Sequence, residues 1–352
     1  MSDRPNRLAA PCNGFAGMTR TELREWVAEA GFPAYRGDQV FGWVHQKRVL
    51  DPQGMKNIPG VLREALSSIV EPGLVHDETL VASDSTRKLL LSTPDGQRIE
   101  TVLIPMGDYY TQCLSTQVGC RLACDFCLTA KMGLKRHLSA REIVDQVHLG
   151  RTIDLGDQRV RNFVFMGMGE PLDNLNELVS ACRIMLDDKG LDISSRRITV
   201  STVGLAPRIP ELGEAVPVNL AVSLNASNDE QRNQIMPINR RYPMAALKES
   251  LKAFPLPSRR RITIEYVVLG GFNDTQDDAR RLARYLHGLK VKVNLIPWNP
   301  FEEGPYLRPS NAVLDRFQKI LLQAGFATSV RTSKGLDIGA ACGQLDGVPV
   351  AA

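Results

Sequence analysis

The sequence predicts an α/β protein, a parallel sheet covered by helices. From about Cys120 onward, short apolar runs suited to strands alternate with longer segments of helical periodicity, the pattern of repeated strand–helix units. The chain ahead of them instead carries helical periodicity and one pair of hairpin-like strands, which places a smaller module before the main domain. Repeated strand–helix units close into a doubly wound sheet or into a full or partial barrel, and the pattern alone leaves these alternatives open.

Residues 1–18 are rich in Pro, Asn and Gly and read as disordered. Thr19 is placed to cap a helix over 20–29 that ends at Gly31. A second helix over 38–45 sets Val40, Phe41 and Val44 on one face, and Pro59 opens a third that extends to Ile69. Segments 87–92 and 97–104 read as strands joined across Pro94, Asp95 and Gly96, a turn composition. The expected division is a helical domain over 1–75, a hairpin linker over 76–105 and the main domain over 106–352. Within the main domain, strands are expected at 160–166, 197–202, 218–224, 261–269 and 291–296, and helices at 176–187, 244–253, 277–286 and 311–324. Polar and glycine residues cluster just after those strands, where ligand sites gather in such folds.

With 352 residues, a net charge of +4 and 43% hydrophobic content, the chain is long enough for one large core and a smaller module. The slight basic excess decides nothing about partners. No apolar stretch approaches the roughly 18 residues of a membrane span, and MSDRPNRLAA lacks the apolar centre of a secretory signal, so a cytoplasmic protein without membrane contact is expected. Seven cysteines, three of them clustered, point to metal or catalytic use in a reducing compartment, not to a disulfide framework.

The cluster is Cys120, Cys124 and Cys127 in C-x3-C-x2-C spacing. Three thiolates on a short loop suit three corners of an iron-sulfur cube and leave the fourth iron open to a small chelating molecule, for which S-adenosylmethionine (SAM) is the candidate. Structural zinc needs a fourth protein ligand, and the nearest is the lone His137. Phe126 is placed to shield the cluster. In GMGEPL, Gly169 lets the backbone approach a ligand while Glu170 can accept bonds from an ammonium; the plainer reading is a tight strand-to-helix turn. Ser201, Ser223 and Asn299 end apolar strands and suit either ligand contact or turn capping. Cys342, in GLDIGAACGQL, has little bulk around it and suits nucleophilic catalysis, or else a buried small hydrophobe. Cys113 is a candidate redox partner for it, whereas Cys12 and Cys182 read as a tail and a helix residue. The basic runs at 196–197, 240–241 and 259–261 support RNA binding only if the fold gathers them beside Lys47 and Arg48.

The strings IETVLIP, QVGCRLACDFC, FMGMGEPLDN, ITVSTVGLAPRI, LAVSLNA, VNLIPWNPF and DIGAACGQL together resemble the radical SAM RNA methyltransferases of the RlmN/Cfr type over nearly the full length. The resemblance implies a partial (β/α)6 TIM-like barrel, preceded by a small helical RNA-binding domain and a connecting β-hairpin. It implies one 4Fe-4S cluster on Cys120, Cys124 and Cys127, and two SAM molecules per turnover. One methylates Cys342. The other yields a 5′-deoxyadenosyl radical that takes a hydrogen from the S-methyl group, and the resulting carbon radical adds to C2 of an adenine. Glu100 is implied as general base, and Cys113 attacks Cys342 to release the RNA as a transient disulfide forms. SAM contacts carried over by motif are Gly169, Glu170, Ser201, Ser223, Leu224, Asn225 and Asn299. The family usually has His where this chain has Asn225, and Asn cannot titrate near neutral pH. Implied partners are 23S ribosomal RNA before ribosome assembly is complete, transfer RNA, a flavodoxin-like electron donor and a thiol reductant, with the chain a monomer. C8 methylation of 23S ribosomal RNA, and a non-catalytic iron-sulfur protein that binds RNA or senses redox state, are the alternatives.

Overall fold

The computed structural model describes residues 14–302 and 304–347. Cys12 and most of the segment expected to be disordered lie outside them. Residues 15–17 correct that expectation: they form a 3-10 turn in which Phe15 and Ala16 are buried, because an apolar pair packed against the core outweighs the Gly-rich composition around it.

Three helices follow, α1 (Arg20–Glu29), α2 (Tyr35–His45) and α3 (Gly60–Ser67). Thr19 and Glu22 close a capping box at the start of α1, the Thr19 hydroxyl accepting from the Glu22 N–H and the Glu22 carboxylate accepting from the Thr19 N–H. Gly37 lets α1 and α2 touch, since a Cβ there would stand 2.7 Å from the Arg24 Cα. Their inner faces, Leu23, Val27, Val40, Phe41 and Leu62, belong to one apolar cluster with the sheet.

The strands β1 (Val75–Val81), β2 (Arg87–Ser92) and β3 (Arg98–Pro105) form an antiparallel meander. The first of these strands was not expected, because VHDETLV is almost wholly solvent-facing and carries no apolar alternation. A fourth strand, β4 (Tyr110–Cys113), pairs antiparallel with β3 and parallel with β7 (Val160–Phe165), so the meander continues directly into the main sheet. Between β4 and β7 come β5 (Gln117–Cys120), α4 (Leu128–Lys131), β6 (Gly133–His137) and α5 (Ala140–Gly150); β5 and β6 form a separate hairpin. Then follow α6 (Leu175–Leu186), β8 (Ile198–Thr202), α7 (Arg208–Ala215), β9 (Asn219–Ser223), α8 (Asp229–Ile235), α9 (Met244–Ala253), β10 (Ile262–Val268), α10 (Gln276–Leu286), β11 (Val291–Pro297), α11 (Asn311–Gln323) and β12 (Thr328–Val330).

The large sheet runs β1-β2-β3-β4-β7-β8-β9-β10-β11-β12, with every neighbour from β4 onward parallel. Six strand–helix units, from β4 through α11, make the parallel part, as the resemblance implies. Parallel strands point the same way, so the loops after β7, β8, β9, β10 and β11 gather at one end. No described helix is long and apolar enough to cross a membrane.

Candidate active site

Cys120 ends β5, Cys127 caps α4 and Cys124 lies between them. The hairpin beneath needs glycine at 119: its φ is 75°, and a Cβ there would meet the Gly133 carbonyl oxygen at 1.8 Å. All three thiols line one cavity of about 140 Å³ with Phe126, Gly169, Glu170, Ser201, Ser223 and Asn299. Burial first, then the charge of neighbouring groups, pushes the Cys120 thiol up to about 12 and raises Cys124 as well, where the largest neighbours are Cys127 and Cys120. Three thiolates packed this way need a compensating cation, and the donor set suits iron. No His, Cys, Asp or Glu group among the described residues is arranged around a single metal ion; in a cubane each thiolate takes its own corner.

Glu170 is buried, its carboxylate accepting from the N–H of Leu172 at 3.1 Å and of Val203 at 2.9 Å. Burial raises it to about 7 against those hydrogen bonds, which suits a group held ready for a cationic ligand. Gly169 beside it has φ 99°, and a Cβ there would lie 2.5 Å from the Gln117 side chain.

Two expected contacts stand elsewhere. Leu224 and Asn225 do not line this cavity: Leu224 gives its carbonyl to Arg232, and the Asn225 side chain accepts from the Val267 N–H at 2.8 Å while facing Met236. Asn225 therefore braces the end of β10. Asn299 lines the cavity but also ties down a neighbour, donating to the Cys342 carbonyl at 3.1 Å.

Cys342 lines the same cavity as the three clustered cysteines. Its segment is stitched to their loop, the Leu128 N–H donating to the Gly343 carbonyl at 2.7 Å and the Thr129 hydroxyl to the Leu345 carbonyl at 2.5 Å. A second cavity, of about 670 Å³, adjoins it and is lined by both Cys113 and Cys342. Cys113 is buried and its thiol is pushed up to about 12, by burial first and then by Cys342. Glu100 lies under the same C-terminal segment, accepting from the Asp346 N–H at 3.2 Å. Burial raises its carboxyl against the opposing pull of Lys88, whose Nζ is 2.9 Å away. That contact is an ion pair without a well-directed hydrogen bond, since Glu100 Oε1 has no donor aimed along it.

Of the remaining cysteines and basic runs, Cys182 is buried on α6. Arg196 and Arg197 line the second cavity, Arg260 donates to Pro217 and Ser195, and Lys47 stacks on Trp43. Sequence reasoning missed Glu265 and Arg331. Glu265 is buried between the two cavities with an oxygen lacking a hydrogen-bond partner, and Arg331 stands 3.9 Å from it. A carboxylate inside the apolar run ITIEYVV was the available signal.

The chain is similar to known proteins over nearly its whole length. The Radical SAM superfamily matches residues 114–286, and the ribosomal RNA large subunit methyltransferase N-terminal domain matches residues 14–71. The dual-specificity RNA methyltransferase RlmN of Geobacter sulfurreducens is 48% identical over 332 residues, covering 94% of this chain and 91% of its own. That of Marinobacter nauticus is 44% identical over 340 residues, covering 94% and 92%. The crystal structure of a radical SAM methyltransferase from Sphaerobacter thermophilus superposes with a TM-score of 0.87 at 42% identity, covering 95% of this chain and 99% of that one. The chain belongs to the RlmN family of dual-specificity RNA methyltransferases within the radical SAM superfamily.

Proposed function

We propose that the protein methylates C2 of adenosine in 23S ribosomal RNA, at the peptidyl transferase centre, and in transfer RNA, at the adenosine 3′ of the anticodon. The observation that carries this reading is Cys342 facing the cavity of Cys120, Cys124 and Cys127 while sharing a second cavity with Cys113. The three clustered thiolates would hold the 4Fe-4S cluster. With SAM bound, that cluster supplies one-electron reduction and hence a primary carbon radical, the chemistry an electron-poor ring carbon requires. Glu170 receives the ammonium of SAM, and Gly169, Ser201, Ser223 and Asn299 border the rest of it. Cys342 would carry the methyl group taken from one SAM and hold it toward the cavity in which a second SAM would bind. Once the ring radical has returned one electron, Glu100 would take the proton from C2; Cys113 would then attack the Cys342 sulfur, so that the sulfur–sulfur bond forms, the bond from Cys342 to the new methylene breaks, and the methylene takes up a proton to become the methyl group as the RNA leaves.

Residues 1–75 form the accessory RNA-binding domain in this reading, 76–105 the linker and 106–352 the catalytic domain. A flavodoxin-like donor and a thiol reductant complete the cycle of a cytoplasmic monomer. Nucleoside mass spectrometry of both RNAs from a deletion strain, with and without this protein, tests the proposal. Restored 2-methyladenosine is expected with the unaltered chain and none with Cys342→Ala, while Cys113→Ala accumulates covalent protein–RNA adduct. Full methylation by Cys342→Ala, or 8-methyladenosine as product, overturns it.

A further inference from the structure

The larger cavity reaches from the starts of the parallel strands, where Arg196 and Arg197 precede β8 and Lys292 lies near the start of β11, to Cys113 and Cys342. Its charge is one-sided. Arg196, Arg197, Lys292, Arg331 and Lys334 face it, against the single carboxylate of Glu265. Among the described residues Arg196 and Lys292 have no ion pair, and the Arg197 guanidinium donates to the neutral Asn162. At about 670 Å³ the space is that of a small-molecule site. The two cysteines divide unequally between the cavities: Cys342 opens on both, Cys113 only on the larger one. A disulfide between them would meet the smaller cavity, where the cluster cysteines lie, through Cys342 alone. Thiol–disulfide exchange needs direct access to a sulfur, and Cys113 is only 6% exposed, too deep for a thiol borne on a folded protein surface.

We infer that the larger cavity admits a small anionic thiol, a cysteinyl peptide with free carboxylates, which reopens the Cys113–Cys342 disulfide. The inference rests on the disulfide step of the proposed function. The thiolate of the incoming molecule attacks the Cys113 sulfur; that bond forms, the Cys113–Cys342 bond breaks, and Cys342 leaves as a thiolate. A second molecule attacks the sulfur of the first, Cys113 leaves as a thiolate, and the small thiol departs as its disulfide. Two small thiols are oxidised, the protein gains two electrons, and the protons released by the attackers are taken up by the two cysteines. Arg331 lines the same cavity as both cysteines, and its charge opposes, without overcoming, the burial that raises the Cys113 thiol.

The test uses cluster-loaded protein oxidised to the disulfide by turnover with transfer RNA, then treated with glutathione, 2-mercaptoethanol or cysteamine at equal thiolate concentration. Glutathione is expected to reduce it about tenfold faster than the cationic cysteamine at low salt, with the difference closing at high salt. Arg197→Glu with Lys292→Glu should erase the preference. The charge series on the unaltered protein holds whether or not that variant folds. Rates that follow thiolate concentration regardless of charge overturn the inference and leave the methylation reading standing. So does a variant that loses transfer RNA affinity but keeps the glutathione rate, which assigns the channel to RNA. A turnover that never yields the disulfide overturns both.

Discussion

At the scale of single residues, a buried amide and a buried ion pair brace the site from behind. Asn225 has φ 59°, a left-handed conformation that Asn tolerates better than most residues, and its side chain satisfies the Val267 N–H. Asn225→Leu should therefore cost about 2–4 kcal/mol in urea unfolding, from backbone strain together with a buried unpaired donor. Lys88 and Glu100 are both fully buried, so removing one leaves the other uncompensated. Lys88→Met should lower stability by about 3–5 kcal/mol, whereas Lys88→Met with Glu100→Gln should recover much of it, as a double-mutant cycle would measure. The clustered cysteines, Glu170 and Cys342 were legible in the sequence because their chemistry is written in short local strings. Glu265 and Arg331 were not, because a charge within a strand discloses its partner only once β10 and the segment after β12 are brought together. Asn225 shows what a motif position leaves unsaid: it marked the residue for ligand contact, and only the fold discloses that its side chain also satisfies the Val267 N–H.

Between elements, the helical front module meets the main domain through two imidazoles. His45 on α2 and His148 on α5 stack with their nitrogens 3.3 Å apart. Burial, then His148, then Arg141 hold His45 well below its ordinary value of 6.5; burial, Arg48, Arg151 and Arg141 bring His148 to about 4. Both values are depressed on folding, so this stability is present above about 6.5 and lost as pH falls through about 4. Hydrogen-exchange protection of α2, corrected for the slower intrinsic exchange at lower pH, should fall across that interval, and His148→Gln should flatten the response, His148 itself accounting for about 3 kcal/mol at most. The β5–β6 hairpin is equally exacting: Gly119→Ala should displace the cysteine loop, seen as lost cluster absorbance after reconstitution while far-ultraviolet circular dichroism stays near that of the unaltered chain.

For the molecule as a whole, the strands of five of the six strand–helix units, β7 to β11, could be read from the sequence because each carries enough apolar residues between turn or helical segments to register as a strand. The strands β1, β4, β5, β6 and β12 escaped notice: β1 is mostly exposed, and the other four are three to five residues long, too short for periodicity to register. Nor did the sequence disclose that the meander is part of the main sheet, since pairing between β3 and β4 is a property of register. The front module shares the sheet's apolar cluster and is further tied by Arg20 to Asp187 at 3.0 Å and by Gln46 to the Asp188 carbonyl. A chain lacking residues 14–71 should thus expose apolar surface and aggregate on expression, as light scattering would record.

The stitching of the Cys342 segment to the cysteine loop makes the two a single mechanical unit. Leu128 and Thr129, which grip Gly343 and Leu345, directly follow Cys127 in the chain, so a shift of one segment is passed to the other through two hydrogen bonds and a single residue step. The far end of the sequence is thereby registered against a loop more than two hundred residues before it, and neither can be repositioned alone.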